Sequence, residues 1–290
     1  MDLLTQFKNE LLRQEKSENT ISSYIKRIED FLIWLSDRYD ETDPTAITEI
    51  DVREYKSFCM NVKKYAPSGI NQRLAAIKSY CDFLVGQDKL EYNPARKIKQ
   101  VKIVKGKTAP DVLERNDYNK FKREFYKDNN KRNIAIFEVL SNTGIRVSEL
   151  VNIEINDMDI SERKGVLVVR GKGNKYREVP LNNTARKAIQ DYLEVRPANK
   201  ENKLFIGERG PITRSTVWRI LKKYAERVGL EDAIHPHTMR HQFATRLLRE
   251  KGIDLTTVKE LLGHEDLNTT AIYTQPTRKE KQQAVETLNN

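Results

Sequence analysis

An arginine cannot shed its proton, so one set among the apolar positions of a helix obliges the fold to bring it an anion. The stretch "IHPHTMRHQFATRLL", residues 234–248, imposes that condition. On a helical wheel with His237 at the origin, Thr238, His241, Gln242, Thr245, Arg246 and Arg249 occupy roughly 40° to 180°. Met239, Phe243, Ala244, Leu247 and Leu248 occupy the other side. Arg240 falls at about 300°, in the middle of the apolar arc, and His237 lies within that arc too. Both side chains are expected to point inward. From this helix alone the partner of Arg240 is open: an interior carboxylate, or an anionic ligand entering a cleft.

The same condition recurs in "SNTGIRVSELVNIEI", where Gly144 breaks one helix and a new one begins. Arg146 falls between Ile153 and Leu150, inside an apolar arc of about 160° that Val147 and Val151 complete. Glu149, three residues on, lies beside Arg146 and can orient its guanidinium. Two inward arginines, one with its own acid and one without, suggest a shared site for a doubly accepting anion. Phosphate fits best.

Two further segments carry candidate chemistry. "GVLVVRGKGNKYREVPL" spells a β-hairpin, with strands Val166 to Arg170 and Tyr176 to Leu181 around a Gly/Asn-rich turn. Lys172 sits at its tip between Gly171 and Gly173, either as a solvated turn lysine or as a group whose flanking glycines let the backbone approach a ligand. In "DLTTVKELLGHEDLNTTAIYTQP" a helix ends at Gly263, His264 follows, and Asn268 or Thr269 caps a short helix carrying Tyr273. All four histidines lie between residues 235 and 264, which is a clustering and not a scatter.

The rest of the chain supplies a frame. Between Thr20 and Leu35, Ile21, Tyr24, Ile25, Ile28, Phe31, Leu32 and Leu35 recur at helical spacing, and Ile70, Leu74, Ile77, Cys81 and Leu84 form a second such stripe. With "DVREYKSFCMNV" and Leu3 to Leu12 they predict a four-helix bundle over residues 1–92. Residues 93–110, "NPARKIKQVKIVKGKTAP", hold Arg96, Lys97, Lys99, Lys102, Lys105 and Lys107 and no acid, with prolines near both ends. They read as a basic linker, and preferably as a tether along a phosphate backbone. Residues 111–290 form a longer, mixed unit. The expected fold is therefore mainly α with a small β-sheet or hairpin, in two domains.

The formal net charge of +10 favours a polyanionic partner, most simply nucleic acid. Cys59 and Cys81, each within an amphipathic stretch, read as small core residues in a reducing compartment, and no metal or cofactor is expected of them. The N-terminal stretch lacks a signal-peptide pattern, and no apolar run reaches membrane-spanning length, so a cytoplasmic protein is expected.

Taken together, these motifs resemble the tyrosine recombinase, or phage integrase, family. "TGIRVSEL" resembles its first arginine box, "GKGNKYREVPL" its lysine hairpin, "HPHTMRHQFAT" its HxxR box, and "LLGHEDLNTTAIYTQ" its Gly-His box and nucleophile segment. The N-terminal bundle resembles the family's DNA core-binding domain, and all six expected catalytic positions are filled. The resemblance implies that Tyr273 attacks a scissile DNA phosphate to give a 3′-phosphotyrosyl enzyme and a free 5′-hydroxyl. It further implies that Arg146 and Arg240 hold the non-bridging oxygens and that Lys172 protonates the leaving oxygen. His237 would assist proton transfer from the tyrosine, His264 would donate to the phosphate, and Glu149 would hold Arg146.

The two-domain layout resembles the Xer-type and transposon- or plasmid-borne resolvase members. These act as homo-tetramers on paired double-stranded recombination sites, with or without a related recombinase or accessory protein, through a Holliday junction. The C-terminal tail would either dock on a neighbouring protomer or be a frayed terminus, and the sequence does not choose between them. Three other readings compete: a type IB topoisomerase with the same residues, a metal site built on His235, His237 and His241, and a DNA-binding protein without catalysis.

Overall fold

The computed structural model describes residues 2–39, 43–103, 112–171, 175–198, 201–235, 237–264, 266–276 and 278–287. Lys105, Lys107 and Lys172, all expected to meet DNA, lie outside the described residues. The chain divides into two compact units, Met1–Lys105 and Gly106–Asn290.

The first unit is built from α1 (Leu3–Arg13), α2 (Glu18–Tyr39), α3 (Glu49–Asn61) and α4 (Pro67–Gly86). Its core contains the expected stripes: Ile21, Ile28, Phe31 and Leu35 of α2 meet Ile70, Leu74, Ile77, Cys81 and Leu84 of α4. Starts are marked chemically. Thr48 and Asp51 form a reciprocal capping box on α3, and Pro67 opens α4 where its missing N–H is not needed. Both cysteines are buried and free.

The segment after α4 departs from the expected linker. Asn93 donates to the Lys78 carbonyl at 2.9 Å, Ala95 is buried, and Asn71 both donates to and accepts from the Val101 backbone, at 2.9 and 2.7 Å. Residues 93–101 are thus fastened to the bundle, because buried asparagines supply the partners that a free tether would take from water. Arg96, Lys97, Lys99 and Lys102 are exposed, while Ala95, Ile98 and Val101 pack against the bundle core.

The second unit is organised round α6 (Lys131–Thr143), whose residues Ile134 to Leu140 are all buried. On it pack α5 (Arg115–Asp128), α8 (Asn183–Leu193), α9 (Arg214–Glu226) and α10 (Thr238–Thr245). Phe125 stacks on Phe137 and on Tyr224 of α9, and Phe121 meets Phe137 edge-on, in one aromatic cluster. The short α7 (Val147–Leu150) leads to an antiparallel meander of β1 (Met158–Ile160), β2 (Gly165–Arg170) and β3 (Tyr176–Pro180). β2 and β3 are the expected hairpin, with Val168 opposite Glu178. A two-residue pair, β4 (Ile206–Gly207) and β5 (Gly210–Pro211), adds a small second sheet.

After α10 the chain widens into a π-helical turn, Arg246–Glu250, and then forms α11 (Leu255–Leu262), α12 (Leu267–Ala271) and α13 (Arg278–Glu286). Among the described residues no helix is long and apolar enough to cross a membrane.

Candidate active site

Two helices end on glycines in the left-handed conformation, Gly144 after α6 (φ 62°) and Gly263 after α11 (φ 63°). Such ends leave main-chain carbonyls without intrahelical donors. Arg240 enters between them. Its guanidinium donates to the Gly144 carbonyl and to the Leu262 carbonyl, each at 2.7 Å, and the residue is 4% exposed. The inward direction read from the wheel is correct, but the partners are helix-terminal carbonyls and not an interior acid. Burial, followed by repulsion from Arg146, pushes its pKa down to about 10, which leaves it protonated at neutral pH.

Gly144 has no room for a side chain. A Cβ there would lie 2.3 Å from Phe243 Cδ1 and 2.9 Å from Leu262 Cδ2. Gly144→Ala is therefore expected to destabilise the second unit by about 2–4 kcal/mol, from left-handed strain and overpacking together. A thermal unfolding midpoint equal to that of the unaltered chain would contradict this.

Arg146 differs from the inward position expected of it. It is the N-cap of α7, its side chain is 36% exposed, and its guanidinium turns to Glu149 at 2.9 Å. The same carboxylate accepts from the Arg146 amide at 2.7 Å. Glu149 is buried and carries a second, unexpected load: Arg177 of β3 grips it with two parallel bonds of 2.9 Å. Burial pulls the Glu149 carboxyl up, but the Arg177 bond, the Arg146 amide and the Arg146 guanidinium outweigh it and hold it below the usual carboxylate range.

His237 is a correction. It caps α10 and is exposed, where an inward position was expected. Its backbone is already helical (φ −84°, ψ −16°), but it lies near the edge of the apolar arc, and a side chain in the first turn points back past the helix start, where no earlier turn covers it. His235 is exposed as well, and among the described residues no cluster of three or more His, Cys, Asp or Glu converges as a metal site would.

His264 follows the α11 cap and its Nδ1 lies 2.8 Å from the buried Thr270 hydroxyl. Burial, then Arg240, Arg146 and Arg177, push its pKa from 6.5 down to about 4. A folded value below the unfolded one means that unfolding takes up a proton between those limits. This contribution to stability is therefore complete above pH 6.5 and is lost as the pH falls to about 4. The unfolding midpoint should drop across that window, and His264→Gln should shrink the drop in a thermal melt series.

Tyr273 does not lie within a helix. α12 begins at Leu267, earlier than the expected cap, and Tyr273 stands in the turn after it, its amide donating to the Thr270 carbonyl at 3.0 Å. The ring packs with Phe243, Val258 and Leu262, leaving Tyr273 2% exposed. Its hydroxyl pairs with His241 Nδ1 at 2.7 Å, a contact the sequence reading missed. Burial pushes the phenol's pKa up, against the pull of Arg240 and Arg146, and it pushes the His241 pKa down. The proton is thus kept on the tyrosine in this arrangement. Arg249, at the end of the π turn, donates to the Tyr273 and Gln275 carbonyls and holds the segment in place.

Of the six expected catalytic residues, Arg146, Arg240, His264 and Tyr273 belong to one electrostatically coupled group, with Arg177 as an added member. His237 stands at its edge, with its ring centroid 6.3 Å from that of His241. Arg146 and Arg177 share the Glu149 carboxylate while Arg240 is bonded to main-chain carbonyls, so three guanidiniums beside one carboxylate leave a surplus of positive charge that suits a phosphodiester. Arg177 had a legible signal: on β3 it shares strand parity with the buried Val179.

Comparison with known proteins identifies the family. Residues 111–280 match the phage integrase family, and residues 3–89 match the phage integrase N-terminal SAM-like domain. The chain is 35% identical to the tyrosine recombinase XerC of Pediococcus pentosaceus over 98% of its own length and 96% of that protein's. It is 32% identical to the TnP I resolvase of Bacillus thuringiensis, over 99% of this chain and 100% of that one. Its fold matches that of the XerH site-specific recombinase in a post-cleavage complex with a palindromic difH substrate, with a TM-score of 0.73 and 23% identity over 92% of this chain and 78% of that one. The chain belongs to the phage integrase family, the tyrosine recombinases, and is an enzyme of site-specific recombination.

Proposed function

We propose that this recombinase cleaves and rejoins a double-stranded recombination site through a phosphotyrosyl link, as a homo-tetramer and by way of a Holliday junction. The Tyr273 oxygen attacks the phosphorus, the bond to the 5′-oxygen breaks, and the protein is left on the 3′-phosphate. The phenolic proton passes to a histidine, with His237 at the site's edge. Lys172 protonates the departing 5′-oxygen, and the reverse sequence reseals the strand. Arg146 and Arg240 stabilise the charge that builds on the non-bridging oxygens, and His264 adds a hydrogen bond. Because the covalent link conserves the phosphodiester energy, no ATP is needed.

The observation that carries this reading is the buried Arg240, held on two helix-end carbonyls and acting electrostatically on Tyr273. The phenol as described is shut off from solvent, so attack requires the Tyr273 turn to leave its pocket. Exposed Arg96, Lys97, Lys99 and Lys102 offer backbone contacts from the first unit, and Lys105 and Lys107 would extend them. Relatives named as recombinases and a resolvase support recombination over simple relaxation.

The test is to incubate the protein, in chelator and without ATP, with a pool of nicked duplexes of randomised core sequence. Detergent-resistant adducts mapping to the Tyr273 peptide, with a free 5′-hydroxyl, are expected. Adducts on another residue, or cleavage abolished by chelator, would overturn the reading.

A further inference from the structure

Arg177 stands where three elements of the site meet. Its strand belongs to the hairpin whose turn carries Lys172. Its guanidinium grips Glu149, the acid that also holds Arg146. Its side chain lies against Gly263, the residue before His264: a Cβ on Gly263 would come within 2.8 Å of Arg177 Nε and 2.9 Å of its Cδ and Cζ. The Nε is buried without a hydrogen-bond partner, so packing, and not polar satisfaction, fixes that face of the side chain.

The bonds on Glu149 show what such a residue does. Oε1 accepts from Arg146 and from Arg177, both at 2.9 Å. Oε2 accepts from the Arg146 amide at 2.7 Å and from Arg177 at 2.9 Å. The carboxylate is fully subscribed, and the two-bond, fork-to-carboxylate grip comes from Arg177. Arg146 makes a single side-chain bond to Glu149 and is 36% exposed, so it presents its remaining donors outward. Were Glu149 to face Arg146 alone, a buried carboxylate would cancel the charge that a phosphate needs and would draw the guanidinium toward itself.

We propose that Arg177 is a positioning residue for strand cleavage: it neutralises Glu149, so that the acid orients Arg146 without cancelling its charge, and it locks the hairpin of Lys172 against the turn of His264. The inference rests on the proposed catalytic roles of Arg146 and Tyr273. Arg177 itself touches neither phosphate nor leaving group in this scheme.

The experiment measures single-turnover adduct formation on a duplex recovered from the nicked pool, with DNA affinity and thermal midpoint measured alongside. Arg177→Met should slow adduct formation on the order of 100-fold, the penalty of a misplaced catalytic group, with affinity near that of the unaltered protein. Arg177→Lys, which restores the charge but not the fork, should fall between the two and keeps the test valid should the Met variant unfold. The deciding readout is the pair Arg177→Met with Glu149→Gln. Removing the uncompensated carboxylate should return much of the lost rate, which a merely structural role would not do.

Two results would overturn the inference alone: an Arg177→Met or Arg177→Lys protein as fast as the unaltered one, or a double variant no faster than Arg177→Met. Arg146→Ala is the separating control. Undiminished adduct formation in that variant would sink the proposed site itself, whatever Arg177 does.

Discussion

Tyr273→Phe is expected to abolish the covalent protein–DNA adduct while leaving DNA binding nearly unchanged. Phenylalanine keeps the ring that packs with Phe243, Val258 and Leu262 but has no atom able to attack phosphorus. The fold should lose only about 1–2 kcal/mol, because His241 Nδ1 is left without its 2.7 Å partner. A gel of detergent-treated reactions decides the matter. Adducts persisting at the original level would mean that another residue is the nucleophile, and a variant that neither cleaves nor binds would point to misfolding, which a thermal melt would reveal.

Arg240→Ala should lower the rate of strand cleavage by about 10³–10⁵-fold, the range seen when a guanidinium that neutralises a transferring phosphoryl group is removed. The fold should persist. Two carbonyls lose their donors, at about 1–3 kcal/mol each, but a costly buried cation is removed at the same time. Rate and stability should therefore separate, with the cleavage loss far exceeding anything the melting shift explains. Arg240→Lys keeps the charge but cannot span the Gly144 and Leu262 carbonyls as a fork, so it should recover little. If Arg240→Ala instead unfolded the unit with no DNA present, Arg240 would be a structural tie and the phosphate would need another clamp.

Much of this was legible in the sequence because it is written in periodicity. The stripes of α2 and α4, the hairpin, and the three-residue spacing of Arg146 and Glu149 all depend on local geometry, and all are present. Arg240 was readable for the same reason, as the third residue of a regular helix. Arg146 was misplaced because it is a cap residue with an extended backbone, and a wheel that carries helical angles past the helix start gives it a false direction. His237 is helical in backbone but sits near the edge of the apolar arc in a first turn that nothing covers. β1, β4 and β5 are two or three residues long, too short to show an alternation. The pairing of Tyr273 with His241 joins residues 32 positions apart and depends on where the turn after α12 meets α10, for which no local pattern exists. Arg177 was visible by strand parity yet was overshadowed by the lysine at the tip of its own hairpin.

The placement of Arg240 has a further consequence. One guanidinium fastens the ends of α6 and α11, and the chain leaves those ends toward Arg146 and His264, two residues beyond Gly144 and two beyond Leu262. The spacing among the groups meant for the phosphate is thus decided when the domain folds, before any DNA arrives, and little reorganisation remains for the moment of reaction. Slack introduced anywhere between α6 and α11 should surface as sluggish chemistry at an undiminished grip on the duplex.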